Sequence, residues 1–248
     1  MTTQTTTLFF VLFTILSSNC LKIAIPSNQI TLAQTSSSMT PVELDNIAVL
    51  GKAVNFSVLA GSLTTNAGVT NVFGSVGVSP GTSFAGTAII LTNGAFHSGD
   101  PVSLEAQKDL TTAYNNLANA AGGLDMTGKY LDGLTLFPGI YKYTSSCFLN
   151  SGILTLDGKG DANSKWIFQI GSTLITGLNT QVKMINNGSA LNVYWTVGSS
   201  ATISDHTIMV GNLISYASIA FGNFVTLNGR ALARTGEITM LSNTIGVK

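Results

Sequence analysis

Five short segments recur along the C-terminal half of the chain: Tyr143–Ser146, Ile170–Thr173, Val197–Ser200, Tyr216–Ser218 and Arg234–Gly236. Each follows an apolar run and places small, neutral residues where the chain reads as strand. The spacings are 173−146 = 27, 200−173 = 27, 218−200 = 18 and 236−218 = 18. A recurrence in this range is the signature of a chain that winds into coils and stacks them. A stacked column of Ser, Thr, Ala and Gly is flat, neutral and almost free of titratable groups. It suits a surface that recognises something better than a site that reacts.

Charge narrows the partners. Of 248 residues only 9% are charged, 11 basic against 11 acidic, where soluble proteins average about 25%. Without Lys/Arg clusters there is no electrostatic footprint for nucleic acid or for anionic lipid. At the N-terminus, Leu8–Leu16 is an apolar run of secretory-signal length, too short to span a bilayer comfortably, and it ends in small residues at Ser17-Ser18-Asn19-Cys20. A buried structural segment is the alternative, and cleavage at Thr31-Leu32-Ala33 would also fit. Residues 1–20 therefore read as a signal, 21–45 as a Ser/Thr/Gln-rich linker and 46–248 as one domain. If Cys20 leaves with the signal, Cys147 has no partner, and a buried inert thiol is expected there. Asn55-Phe56-Ser57 and Asn187-Gly188-Ser189 are glycosylation sequons.

In the body, Gly every few residues separates Val-, Ile-, Thr- and aromatic-rich stretches such as Phe56–Leu59, Trp166–Ile170, Gln181–Ile185 and Asn192–Val197. Dense Gly with short strands argues for an all-β fold with tight corners. Gly211-Asn212 and Asn228-Gly229 mark turns at 229−211 = 18, in phase with the repeat. Eighteen residues make one three-faced coil of a β-solenoid. The 27-residue intervals then hold insertions of about nine residues, Asp157–Asp161 among them. One helix interrupts the pattern, over about 100–121. Asp100-Pro101 starts it, Leu110, Ala113, Tyr114, Leu117, Ala118 and Ala121 form one apolar stripe, and Gly122-Gly123 ends it. The side of a solenoid offers such a stripe a surface to lie on. A partner-binding helix is the alternative.

No catalytic constellation assembles. The two histidines, His97 and His206, cannot make a His-rich metal site. Adjacent Asp205 and His206 would point to opposite faces of a strand. Asp157 and Asp161 sit in a Gly-rich turn where Asp bonds to local backbone, and Arg230 and Arg234 have no acidic pair beside them.

Five segments carry a family resemblance: Phe56–Ser62, Gly74–Gly81, Leu134–Tyr141, Trp166–Leu174 and Leu227–Arg234. In order and over most of the body, about Leu50 to Ile245, they resemble the microbial ice-binding proteins with a discontinuous β-solenoid. The resemblance implies an all-β fold, an irregular right-handed β-solenoid of triangular section with an α-helix packed alongside. It also implies a secreted, non-enzymatic protein without cofactor or metal, adsorbing to ice and ordered water as a monomer through one flat face. With Ile and Leu pointing inward, the outward residues carried over are Ser62 and Thr64, Thr173 and Ile175, Ser200 and Thr202, Ser218 and Ala220, and Glu237 and Thr239. Gly236 keeps the period while parity selects Glu237, so a bulge is expected on that rung. A ring introduced at Ser200 or Ser218 is expected to break the face's flatness. An extracellular adhesin or glycan-binding module is the competing reading; a polysaccharide-degrading enzyme is disfavoured by the missing acidic cluster.

Overall fold

The computed structural model describes residues 50–247; the expected signal, linker and Cys20 lie outside the described residues. A 3-10 turn, Gly51–Asn55, leads into β1 (Phe56–Ala60), β2 (Leu63–Ala67), β3 (Thr70–Phe73), β4 (Ser75–Val78), β5 (Ser83–Gly86), β6 (Ile89–Thr92) and β7 (Phe96–Ser98). The helix α1 (Pro101–Ala118) follows, three residues shorter at its C-terminus than the sequence suggests. The main stack comprises β8 (Leu124–Asp125), β9 (Thr135–Leu136), β10 (Gly139–Tyr143), β11 (Cys147–Leu149), β12 (Ile153–Asp157), β13 (Trp166–Ile170), β14 (Leu174–Thr176) and β15 (Gln181–Ile185). It continues with β16 (Val193–Val197), β17 (Ala201–Ile203), β18 (Ile208–Ser215), β19 (Ile219–Asn223), β20 (Thr226–Ala233), β21 (Ile238–Leu241) and β22 (Thr244–Gly246).

Three strands make one coil, so the stack has three faces. Face one orders β8-β10-β13-β16-β18-β20-β1-β4-β7 through parallel pairs. Face two is a separate 7-stranded sheet, β11-β14-β17-β19-β21-β2-β5. Face three runs β9-β12-β15-β18-β20-β22-β3-β6 and shares β18 and β20 with face one. The N-terminal coils thus pack on the C-terminal coil, and the chain must return to the far end before winding the rest. Face one's eight strand-to-strand steps span about 38 Å, and α1 covers about 27 Å of it.

The repeat lengths have a structural cause. Equivalent residues on face two are Cys147, Leu174, Ala201, Ile219 and Ile238, at intervals of 27, 27, 18 and 19. In the long coils the chain leaves the stack between faces three and one, at residues 158–165 and 186–192. In the short coils that corner is a bend within one strand. Gly211 and Gly229, expected as turns, lie inside β18 and β20 and pair with each other. Gly211 has φ 107°, and a Cβ there would sit 2.7 Å from Val193 Cβ, so only glycine lets the strand turn the corner.

Inside the stack, residues at one register position meet as a ladder. Tyr141, Phe168 and Trp195 stack with centroids 5.4 and 3.9 Å apart and planes 22° and 7° apart. Trp195 Nε1 donates to Val210 O at 2.9 Å and Trp166 Nε1 to Leu136 O at 3.2 Å, so both indoles are buried and satisfied. Cys147 is buried, and burial pushes its thiol up to about 12. It is expected to resist alkylation in the folded protein and to react only on unfolding; labelling under native conditions would contradict this.

Helix α1 covers face one. Ala106, Leu110, Ala113 and Leu117 pack on Leu59, Ile140, Ile167, Tyr194, Ile214 and Leu232. Gln169 Nε2 donates to Leu117 O and Ala120 O, both at 2.8 Å, and holds the helix end; Gln107 Nε2 donates to Ala233 O at 3.0 Å. The apolar stripe is therefore used in packing. At the other end Asp100 caps the helix, accepting from Ser103 N at 2.8 Å, with His97 Nδ1 2.7 Å from its second oxygen. The Ser103 backbone N–H, then His97, hold its pKa down at about 2. A depressed carboxylate stabilises the fold fully above its unfolded pKa of about 4 and loses that effect as pH falls through the folded value. Tm against pH is expected to fall between about pH 4 and 2, and Asp100→Ala to lower Tm at neutral pH and flatten that limb.

Candidate functional site

With face one covered, two faces remain. Face three is uneven: Ile153, Lys183, Ile208, Asn228 and Ile90 are exposed on it. Face two differs. In register across its seven strands the outward residues are Phe148, Ile175, Thr202, Ala220, Thr239, Thr65 and Ala85. From Thr202 to Ala85 this is a five-rung column of Thr and Ala alone. Parallel strands put its members about 4.8 Å apart and alternate residues along a strand about 6.7 Å apart. The backbone of every rung is tied to the next, so the grid is rigid.

A second outward column lies nearer the corner with face one. Thr173 Oγ1 donates to Ser146 Oγ at 2.8 Å. Ser200 Oγ accepts from Ser218 N at 3.2 Å, and Ser218 Oγ from Glu237 N at 3.3 Å. These hydroxyls brace the corner rung to rung. Glu237 is exposed in the same column.

Of the residues expected from the sequence, Thr173, Ile175, Ser200, Thr202, Ser218, Ala220, Glu237 and Thr239 lie together on this face. Ser62 and Thr64 do not extend it. Thr64 is fully buried and points inward; Leu63 and Thr65 are the outward residues of β2, and Thr65 Oγ1 donates to Thr239 Oγ1 at 3.2 Å. Ser62 is exposed at the corner before the strand. Parity misled because the interior is polar at this end. Asn66 also points inward, its Nδ2 donating to Gly68 O, Thr87 O and Ala88 O and its Oδ1 accepting from Thr70 Oγ1 at 2.6 Å. Leu63 is thus not the inward marker. Phe148, Thr65 and Ala85 were not read from the sequence; the pairing of β2 with β21 reveals Thr65, and that of β2 with β5 reveals Ala85.

The bulge expected at Glu237 is an added corner residue instead. Ser215 to Ile219 is 219−215 = 4 steps, and Ala233 to Ile238 is 238−233 = 5. The strand register itself shifts between Ala220 and Asn223.

The remaining polar candidates have structural partners. Asp205 accepts from Asn223 N at 2.8 Å and Asn223 Nδ2 at 3.3 Å. Asp157 accepts from Lys159 N and Asn186 Nδ2, which hold its carboxyl below the usual range. Arg230 donates to Val54 O and Asn212 Oδ1, both at 2.9 Å. Arg234 lies over the rings of Tyr114 and Tyr216, 4.6 and 5.1 Å from their centroids. Asn55 and Asn187 are exposed. Among the described residues no group of three or more His, Cys, Asp or Glu could hold a metal ion, and no helix is long and apolar enough to cross a membrane.

Comparison with known proteins gives a consistent picture. The family model described as Ice-binding-like matches residues 58–246. An ice-binding protein of Nostoc sp. (strain HG1) is 44% identical over 211 residues, 85% of this chain and 78% of that protein. The crystal structure of an ice binding protein from an Antarctic biological consortium superposes with a TM-score of 0.81 at 40% identity, over 88% of this chain and 96% of the other. That of an ice-binding protein from the Antarctic ascomycete Antarctomyces psychrotrophicus gives 0.76 at 37%, over 81% and 98%.

Proposed function

This chain belongs to the ice-binding-like family, and from that premise we propose that it is a secreted ice-binding protein whose adsorbing surface is face two. The observation that carries this is the unbroken register of Thr202, Ala220, Thr239, Thr65 and Ala85 on one parallel sheet. Hydroxyls, methyls and intervening waters held on such a grid order the water above them before it joins a crystal. Each contact is weak, so many act together, and little entropy is lost because the backbone is already fixed. Ice between adsorbed molecules then grows as curved fronts, which lowers the local freezing temperature and slows recrystallisation.

The small, neutral side chains of face two suit binding rather than catalysis, and in this reading the protein acts as a monomer without a cofactor. Residues 1–20 are the secretory signal in this reading, 21–45 the linker, and exposed Asn55 and Asn187 are open to glycosylation. The relatives give the glycan-binding alternative no support. The purified protein is expected to show thermal hysteresis, shaped crystals and recrystallisation inhibition in a nanolitre osmometer. The absence of all three at micromolar protein would overturn the reading.

A further inference from the structure

The corner between faces two and three is a column of left-handed residues: Asn179, His206, Phe224, Ser242 and Gly68, with φ of 58°, 57°, 56°, 52° and 70°. Backbone bonds link it rung to rung: Asn179 N to Asp205 O, His206 N to Asn223 O, Phe224 N to Leu241 O and Ser242 N to Ala67 O. Gly and Asn tolerate this conformation; a bulky side chain there is an outlier that costs stability. Packing does not explain the choice. Phe224 is 60% exposed, and its ring contact is with His206, centroids 5.4 Å apart. At the opposite end of the same rung Tyr216 is also exposed, but it holds Arg234. Phe224 has no such role.

Leu178 precedes Asn179 in this corner and is 65% exposed. Leu178 and Phe224 are the two most exposed large apolar residues among those described. Phe224 directly follows β19, and Leu178 follows β14 after Gly177, so both lie where strands of face two end. Asp205, on the rung between them, has both carboxylate oxygens occupied by Asn223. At Phe224, backbone strain combined with apolar exposure is the kind of local cost that persists where a side chain serves function; Leu178 shares the exposure, with Asn179 taking the left-handed position beside it.

We propose that Leu178 and Phe224 form an apolar margin of the ice-adsorbing surface, an inference that rests on the assignment of face two. Water beside an apolar group cannot bond to it and keeps its hydrogen bonds to other waters. Along the corner this carries the ordered layer past the edge of the Thr/Ala column and shields it from bulk solvent, much as a rim shields an interface centre.

The test uses substitutions whose structural and functional effects have opposite signs. Phe224→Asn suits φ 56° and is expected to raise Tm while hysteresis falls to about half, a rim-sized effect. Leu178→Ser is expected to lower hysteresis with Tm unchanged, and Phe224→Leu to retain activity. Wild-type hysteresis in Phe224→Asn and Leu178→Ser would overturn the margin. So would a loss in Phe224→Asn that tracks a fallen Tm and is not restored by Phe224→Leu. The face assignment fails separately, if Ala220→Tyr leaves hysteresis unchanged.

Discussion

Ala220→Tyr is expected to remove most of the hysteresis while leaving the fold intact. Ala220 is exposed at the centre of face two, between Thr202 and Thr239 in register. A ring on that rung stands above neighbours about 4.8 Å away on either side and holds the whole column off the crystal. Adsorption needs many weak contacts at once, so one protrusion costs more than one contact. The concentration needed to inhibit recrystallisation is expected to rise by about tenfold, equivalent to ~1.4 kcal/mol. Tyr is favoured in strands and points to solvent here, so Tm and far-UV circular dichroism are expected to stay unchanged. Full activity in this variant would move the adsorbing surface elsewhere. Position 220 is a cleaner probe than Ser200 or Ser218, whose hydroxyls accept backbone N–H bonds from the next rung; a change there mixes loss of flatness with loss of bracing.

Trp195→Ala is expected to have the largest effect on stability. Trp195 is fully buried, stacks on Phe168 at 3.9 Å and donates to Val210 O. Truncation leaves a cavity in the ladder and one buried carbonyl without its donor. Large aromatic-to-Ala changes in cores cost about 3–5 kcal/mol, against total stabilities of about 5–15 kcal/mol. For a domain of this size that lowers Tm by on the order of 10 °C. Hysteresis measured well below that Tm also tests whether flatness depends on the ladder, since Ala201 and Ile203 of the same coil carry Thr202 outward from the interior. A Tm within a degree or two of wild type would mean that the neighbouring rungs collapse into the space.

Much of the fold was legible in local patterns. Trp166–Ile170 and Gln181–Ile185 are strands with the bounds expected. Asp100-Pro101 starts the helix because an N-cap acceptor followed by a residue without an N–H satisfies the first turn in any context. On the interior rungs of face two, Leu174, Ile203, Ile219 and Ile238 point inward, and parity from them placed Ile175, Thr202, Ala220 and Thr239. The same rule failed on β2. There Thr64 and Asn66 face inward, because Asn66 finds three carbonyls and a hydroxyl that only folding brings together.

Period and alternation alone showed that the chain winds, that two coils take 27 residues and the next 18, that one long coil leaves the stack near Asp157–Asp161, and which side chains of the central rungs face out. Those properties follow from period and alternation, which act between residues close along the chain. Only the tertiary structure decided that the N-terminal coils stack beyond the C-terminal one, which puts Thr65 and Ala85 in line with Thr239 and lengthens the Thr/Ala column by two rungs. It also decided that Gly211 and Gly229 bend continuous strands and that Phe224 stands exposed in left-handed backbone at the corner between faces two and three. The physical reason is common to all three. Each depends on pairing between residues far apart in the chain, such as Thr65 with Thr239, whose energy no local pattern contains.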